Sequence, residues 1–424
     1  MIVFIFTVIS NCDKKRKSSY NPKGKESYMC ELRDVFIVGA VRTPIGNFLG
    51  TLKDVKAPEL GGIAIKEALK RAGIQGGDVN EVIMGNVVSA GIGQAPAKQA
   101  ATKGGVPYTV NSFAVNKVCG SSLKAVHLAA QSIWLEENEI VVAGGMESMS
   151  QAPHMVWGVR GGVKFGDVQM KDAMLHDGLW CAFDNQHMGM TGEVVAEKFG
   201  ATREEQDAYA VSSHQKALHA IEKGYLKDEI VPVEIPQRKG DPIVFSVDEG
   251  PRQDATIEKL IKLRPVFKKD GTVTAGNASS LNDGGAALVV ASDQVVKEKG
   301  LTPMVRILAA ASNALEPQLV MYAPKGAIEK LLANVGWAIE DVDLLEINEA
   351  FSSQLVVLIK ELGLDREKIN VHGGAVALGH PIGATGARIL TTLIYAMKHR
   401  GLKKGVAALC LGGGDAIAMA VEAA

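Results

Sequence analysis

The chain carries almost no net charge: 46 basic residues stand against 47 acidic ones, leaving −1. A balance of that kind excludes a surface-wide field able to hold nucleic acid or an anionic membrane, so an anionic ligand must be met locally. Paired cysteines are missing as well. The five present, Cys12, Cys30, Cys119, Cys181 and Cys410, are odd in number, far apart and form no C-x-x-C. This argues against a disulfide framework or a structural zinc and points to a reducing, cytoplasmic setting. No H-E-x-x-H and no carboxylate cluster at ligand spacing is present, so no metal is expected. The opening apolar run, MIVFIFTVIS, is ten residues long, too short to span a bilayer, and lacks a basic region before it or a small-residue cleavage site after it. A Lys-rich stretch follows. Residues 1–28 are therefore read as a leader, disordered or not translated, with the folded protein starting near Met29.

What remains is a globular composition: 424 residues, 47% hydrophobic and 22% charged, enough for two or three domains with sizeable cores. Only 5% of residues are aromatic whereas 46 are glycine, which predicts many tight turns and close backbone approaches. Strand-like runs such as DVFIVGAV, EVIMGNVV and EIVVAGG alternate with helical patterns, the order of a layered α/β fold with helices covering a largely parallel sheet. After Pro303 that order returns. Ala64-Ile65, Leu69, Gly73 and Asp78-Val79 match Ala327-Ile328, Leu332, Gly336 and Asp341-Val342 at one constant offset, which predicts two homologous halves. The expected division is an N-terminal domain of 29–148 plus 281–303, an inserted loop domain of 149–280, and a C-terminal domain of 304–424.

Four segments carry chemistry. In AVNKVCGSSLKAV, Cys119 stands where a strand runs into an amphipathic helix, and a helix N-terminus favours thiolate over thiol. In VALGHPIGATGAR, His380 is held between Gly379 and Pro381, and proline restricts the residue before it to extended backbone, displaying the imidazole. In ALCLGGGDA, Cys410 ends an apolar strand before three glycines whose N–H groups are available as an oxyanion hole. In LLEINEAF, Asn348 and Glu349 fall at the C-terminal end of a strand, where α/β folds build their sites. Each motif alone also fits a structural role.

Taken together, CGSS, NEAF, GHPIGATGAR and CLGGG resemble the thiolases in order and spacing, and VRTPIG, HMGMTGE at 187–193 and GTVTAGNASSLNDG at 271–284 extend the resemblance over residues 30–424. The resemblance implies the five-layered α-β-α-β-α thiolase fold, built from two similar βαβαβαββ halves with an inserted loop domain. It implies Cys119 as acyl-accepting nucleophile, His380 as its base, Cys410 as the base for the second substrate, and Asn348 as holder of a water beside the enolate. The backbone N–H groups of Cys119 and Gly412 would form the hole for the acyl intermediate. Leu179, His187, Met188, Arg252, Phe267, Ala275, Ser279 and Phe351 are implied as substrate and coenzyme contacts. A basic run of Arg252, Lys259, Lys262, Arg264 and Lys268 could meet the coenzyme phosphates. Met188 favours a short acyl pocket, hence reversible condensation of two acetyl-CoA to acetoacetyl-CoA and CoA. The implied partners are these coenzyme A thioesters and another copy of the chain, as dimer or tetramer. No permanently bound cofactor, nucleic acid or membrane is implied. Two positions depart from the family pattern: His372, often asparagine, and Ala416, often a further glycine.

Overall fold

The computed structural model describes residues 32–424 and the backbone of two short paired strands, Lys17–Ser19 and Ser27–Met29. The reading of 1–28 as a leader otherwise lies outside the described residues.

The N-terminal half runs β1 (Val35–Arg42), α1 (Ala57–Ala72), β2 (Glu81–Gly85), α2 (Pro96–Lys103), β3 (Asn111–Val115), α3 (Ser121–Trp134), β4 (Ile140–Ser148) and β5 (Asn282–Ser292). Between β4 and β5 the chain leaves the sheet and forms α4 (Gly189–Phe199) and α5 (Arg203–Lys223). Arg42 at the end of β1 ties this excursion down: fully buried, it donates to Glu229 at 2.6 Å and to Asp248 at 2.7 and 2.9 Å. The C-terminal half repeats the order with β6 (Val305–Ala314), α6 (Ala323–Val335), β7 (Leu344–Ile347), α7 (Ser352–Leu362), α8 (Thr385–Arg400), β8 (Lys404–Leu411) and β9 (Asp415–Ala423). The repeat shows in detail. Helices α1 and α6 both take a proline in the first turn and both end on a left-handed glycine, Gly73 and Gly336.

The strands form one path, β7-β8-β9-β6-β1-β5-β4-β2-β3, with Gly46–Asn47 alongside β5. The seam between halves is β6 on β1, at Val305–Ile37 and Arg306–Phe36. In place of a counterpart to β3, the C-terminal half has only a parallel bridge from Leu345 to Ile369. The sheet is mixed rather than largely parallel. Only the β2–β3, β2–β4 and β7–β8 pairs are parallel. Each half ends in two neighbouring strands, β4–β5 and β8–β9, that pair antiparallel, and β1 and β6 join their sheets antiparallel too. Alternation of strands and helices predicted crossovers correctly, but not these final reversals.

Helices α1 and α2 cover one outer face and α6 the other, while α3 and α8 lie between the two halves of the strand path and against each other, giving five layers. The central position explains the sequences. From Thr385 to Met397 every residue of α8 is buried, as a helix enclosed on all sides requires, and β4 and β5 are buried throughout. Gly386 lets α8 approach α3: a Cβ there would stand 2.5 Å from the Leu123 backbone nitrogen.

Candidate active site

Cys119 belongs to the turn between β3 and α3. Val118 before it takes φ 46°, a costly conformation for a β-branched residue. The turn is pinned by Asn116 Oδ1 accepting from the Val118 N–H at 3.1 Å and by Ser121 Oγ accepting from the Lys117 N–H at 2.9 Å. Gly120 permits the close approach to the other half, because a Cβ there would fall 1.8 Å from Leu411 Cδ2, one residue past Cys410. Lys117 and Asp415, on either side of this contact, form an ion pair at 2.5 Å.

His380 follows Gly379 and is 6% exposed. Its N–H donates to Asn282 Oδ1 at 2.8 Å, and its Nδ1 lies 2.7 Å from Thr385 Oγ1 in the first turn of α8. Thr385 Oγ1 also donates to the Pro381 carbonyl at 2.9 Å. With the hydroxyl hydrogen on that carbonyl, the hydroxyl accepts from Nδ1–H and leaves Nε2 with a free lone pair. Nε2 faces Asn348 Nδ2 at 3.5 Å. Burial, reinforced by Arg388, pushes the imidazole pKa down to about 3, so the ring is neutral at rest.

Asn348 directly follows β7, fully buried, its N–H bonded to the Ala408 carbonyl at 2.9 Å and its Oδ1 without a partner. Cys410, the next-to-last residue of β8, is 2% exposed. Burial, with Cys119 nearby, holds its thiol well above the usual range. Cys119 itself is half-buried. Its thiol is pushed up to about 11 by burial, against the downward pull of the N–H groups of Gly412 and of Cys119. The helix-end thiolate expected from the sequence is therefore not the resting state. Helix α3 begins only at Ser121, and loss of water outweighs the helix end.

Cys119, His380, Cys410 and Gly412 line one cavity of about 450 Å³. Leu179, His187, Met188, Phe267, Ala275, Ser279 and Phe351 line it too. His187 stacks on Phe267 at 4.6 Å, and Phe267 meets Phe351 edge-on at 6.2 Å, making an aromatic wall. Arg252 is not in this cavity. With Lys259 and His214 it lines a neighbouring one of about 220 Å³, which shares Ala275, Ala278 and Ser280 with the first. Of the basic run, Lys262, Arg264 and Lys268 line neither, and Lys268 pairs with Glu197 at 2.7 Å. His372 lies apart, stacked on Tyr225 at 5.3 Å. Among the described residues, no three His, Cys, Asp or Glu side chains are grouped as a metal ion would need.

Sequence reading missed Glu147. Its carboxylate accepts from Asn86 Nδ2 at 2.7 Å and from the N–H groups of Val87, Val88 and Gly383 at 3.0, 3.2 and 2.9 Å, holding the loop that carries His380. Burial pushes its pKa up to about 7 despite those donors. An acid at the end of an otherwise apolar strand was the available signal. Asn282, Thr385 and Gln354 were missed as well, and polar residues inside Gly-rich motifs gave no separate sign.

Known proteins agree with this architecture. The family model described as the thiolase N-terminal domain matches residues 35–294, and that of the thiolase C-terminal domain matches 301–423. The chain is 50% identical over 388 residues to an acetyl-CoA acetyltransferase of Pseudomonas aeruginosa, covering 92% of this chain and 99% of that one. It is 52% identical over 391 residues to one of Cupriavidus necator, covering 92% and 100%. The crystal structure of the Bacillus anthracis acetyl-CoA acetyltransferase superposes with a TM-score of 0.89 at 46% identity, over 93% of this chain and 99% of that one. The acetyl-CoA acetyltransferase of Syntrophomonas wolfei gives 0.91 at 41% identity, over 93% and 100%. With both halves matched in sequence and in fold, the chain belongs to the thiolase family.

Proposed function

We propose that this chain is an acyltransferase that catalyses the reversible condensation of two acetyl-CoA molecules to acetoacetyl-CoA and CoA. The observation that carries the reading is the convergence of two thiols from different halves and one neutral imidazole on a single cavity. Relatives at about half identity, named acetyl-CoA acetyltransferases, support it.

In this reading Cys119 gives its proton to His380 Nε2 as the sulfur attacks the acetyl carbon. A neutral base is what the step needs, and burial keeps the imidazole neutral. The N–H groups of Gly412 and Cys119, which meet at the Cys119 sulfur, would receive the oxyanion. CoA then leaves with the proton from His380, and acetyl-Cys119 remains. Cys410, as thiolate, takes a methyl proton from the second acetyl-CoA, and the carbon attacks the acetyl group on Cys119. The Cys119 sulfur leaves as thiolate and takes up the proton that Cys410 removed, which resets both groups. Burial makes that thiolate scarce but strongly basic, which suits a weakly acidic methyl group. The enolate oxygen would accept from a water on Asn348, whose Oδ1 is unpaired, and from His380 in its other tautomer, with the hydrogen on Nε2 and the Thr385 hydroxyl donating to Nδ1.

The coenzyme arm would run past Ala275 and Ser279 into the cavity that Arg252 lines. Met188, Leu179 and the aromatic wall narrow the acyl end. No cofactor besides the thioesters is invoked. The domain boundaries given above are retained, with 149–280 as the coenzyme-binding insertion. Edge strand β3, with exposed Phe113, and exposed Trp157 and Phe165 favour a homo-oligomer, dimer or tetramer. Among the described residues no helix is long and apolar enough to cross a membrane, and a cytoplasmic enzyme is the matching proposal. The test compares thiolysis of acetoacetyl-CoA with that of a longer 3-ketoacyl-CoA. Faster cleavage of the short substrate is expected; faster cleavage of the long one would assign a broad-range degradative enzyme instead.

A further inference from the structure

Gln354 lies in the first turn of α7, fully buried. Its Oε1 stands 3.5 Å from Cys410 Sγ, and its Nε2 has no hydrogen-bond partner. A buried amide N–H without an acceptor is costly and calls for an explanation. The amide makes no other side-chain bond among the described residues, so nothing fixes which of its two ends faces the sulfur. The other side chain at the sulfur is Met321, whose Sδ at 3.7 Å can accept weakly but cannot donate. Among the described residues, and apart from Cys410's own backbone N–H, Gln354 is thus the one side chain hydrogen-bonded to this sulfur with hydrogens to offer a sulfur anion.

We propose that Gln354 is a positioning residue for Cys410, an amide that turns its N–H toward the thiolate and its oxygen toward the thiol. The inference rests on the reading of Cys410 as the carbon-acid base. In that step the methyl C–H bond breaks, its proton forms the S–H bond, and its electron pair passes into the enolate. The amide that donated to the sulfur anion then accepts from the new S–H. Rotation about the last side-chain bond exchanges the two ends, and no competing hydrogen bond opposes it. Both protonation states of a sulfur whose residue is only 2% exposed are thereby satisfied. The unpaired Nε2 belongs to the half of the cycle in which the sulfur holds its proton.

Gln354→Met keeps the length and removes both polar atoms; Gln354→Glu keeps an acceptor and removes the donors once ionised. For Gln354→Met, acetoacetyl-CoA formation is expected to fall on the order of ten- to a hundredfold in kcat, the scale of a lost hydrogen bond to a charged group. Acetylation of Cys119 by acetyl-CoA, followed by intact mass, should stay within about threefold of wild type, because that step does not use Cys410. In a Cys119→Ser background, alkylation of Cys410 by iodoacetamide should need higher pH in Gln354→Met than with Gln354 intact. Gln354→Glu should lose condensation progressively as pH rises. Unchanged condensation and an unchanged alkylation profile in Gln354→Met would overturn the proposal, as would an equal fall in both half-reactions. Cys410→Ser is run alongside. If it abolishes condensation while Gln354→Met does not, the role of Gln354 alone fails; if it condenses normally, the reading of Cys410 fails and takes this proposal with it.

Discussion

In the N-terminal half, β2 runs out into Asn86 and the next-to-last residue of β4 is Glu147; in the C-terminal half, β7 runs out into Asn348 and the next-to-last residue of β8 is Cys410. The two corners occupy equivalent places in a repeated fold, and in both the asparagine Oδ1 lacks a partner, but they differ at the strand that follows. Both oxygens of Glu147 are saturated by four donors, one of them from Gly383 in the loop that carries His380. At the other corner a thiol stands in place of the carboxylate: Cys410 borders the cavity, and Gln354 Nε2 beside it has no partner. One copy of the corner holds the loop; the other is left incomplete where a substrate would complete it.

That contrast predicts opposite costs. Cys410→Ser should lower acetoacetyl-CoA formation on the order of a thousandfold with little change in melting temperature. Glu147→Leu leaves three backbone N–H groups and the Asn86 amide without their acceptor, so it should cost about 3 kcal/mol or more of stability, read as a fall in the denaturant midpoint. If Glu147→Leu proves as stable as wild type while Cys410→Ser unfolds, the assignment of the two corners is reversed.

Gly120→Ala probes the contact between the halves. The added methyl would meet Leu411, and displacing the Cys119 turn by even part of an ångström is expected to cut kcat about ten- to a hundredfold. A smaller stability cost of about 1–3 kcal/mol should accompany it, as for other overpacked sites. Normal kinetics in this variant would mean that the spacing between the two thiols is not held there.

The last effect is one of pH. The His380 pKa is lowered from 6.5 to about 3, so the unfolded chain takes up a proton that the folded chain refuses as pH falls below 6.5. Folding is therefore disfavoured in that window, at up to about 1.4 kcal/mol per pH unit. His380→Gln removes the term. Its stability relative to wild type should rise as pH drops from 6.5 toward 4.5, and a pH-independent difference would show that the folded-state imidazole titrates normally.

Much of this arrangement is legible in the sequence, for physical reasons. Gly-rich turns next to Cys119, His380 and Cys410 mark places where backbone must pass close to something, and the constant offset between halves exposes the repeat. Strand direction was less accessible, because the reversals at β4–β5 and β8–β9 depend on pairing between distant segments. The protonation states escaped altogether. A helix start beside Cys119 suggests a thiolate, whereas the enclosed cavity, visible only once the halves meet, pushes that thiol up to about 11. Arg252, singled out in a basic run, borders the neighbouring cavity rather than the one holding the thiols.

The central claim, that Cys119 alone accepts the acyl group, is tested by intact mass after incubation with acetyl-CoA for wild type, Cys119→Ser and Cys410→Ser. The account predicts one added acetyl group on wild type and on Cys410→Ser and none on Cys119→Ser. An acetyl group retained by Cys119→Ser, or absent from wild type, would contradict it.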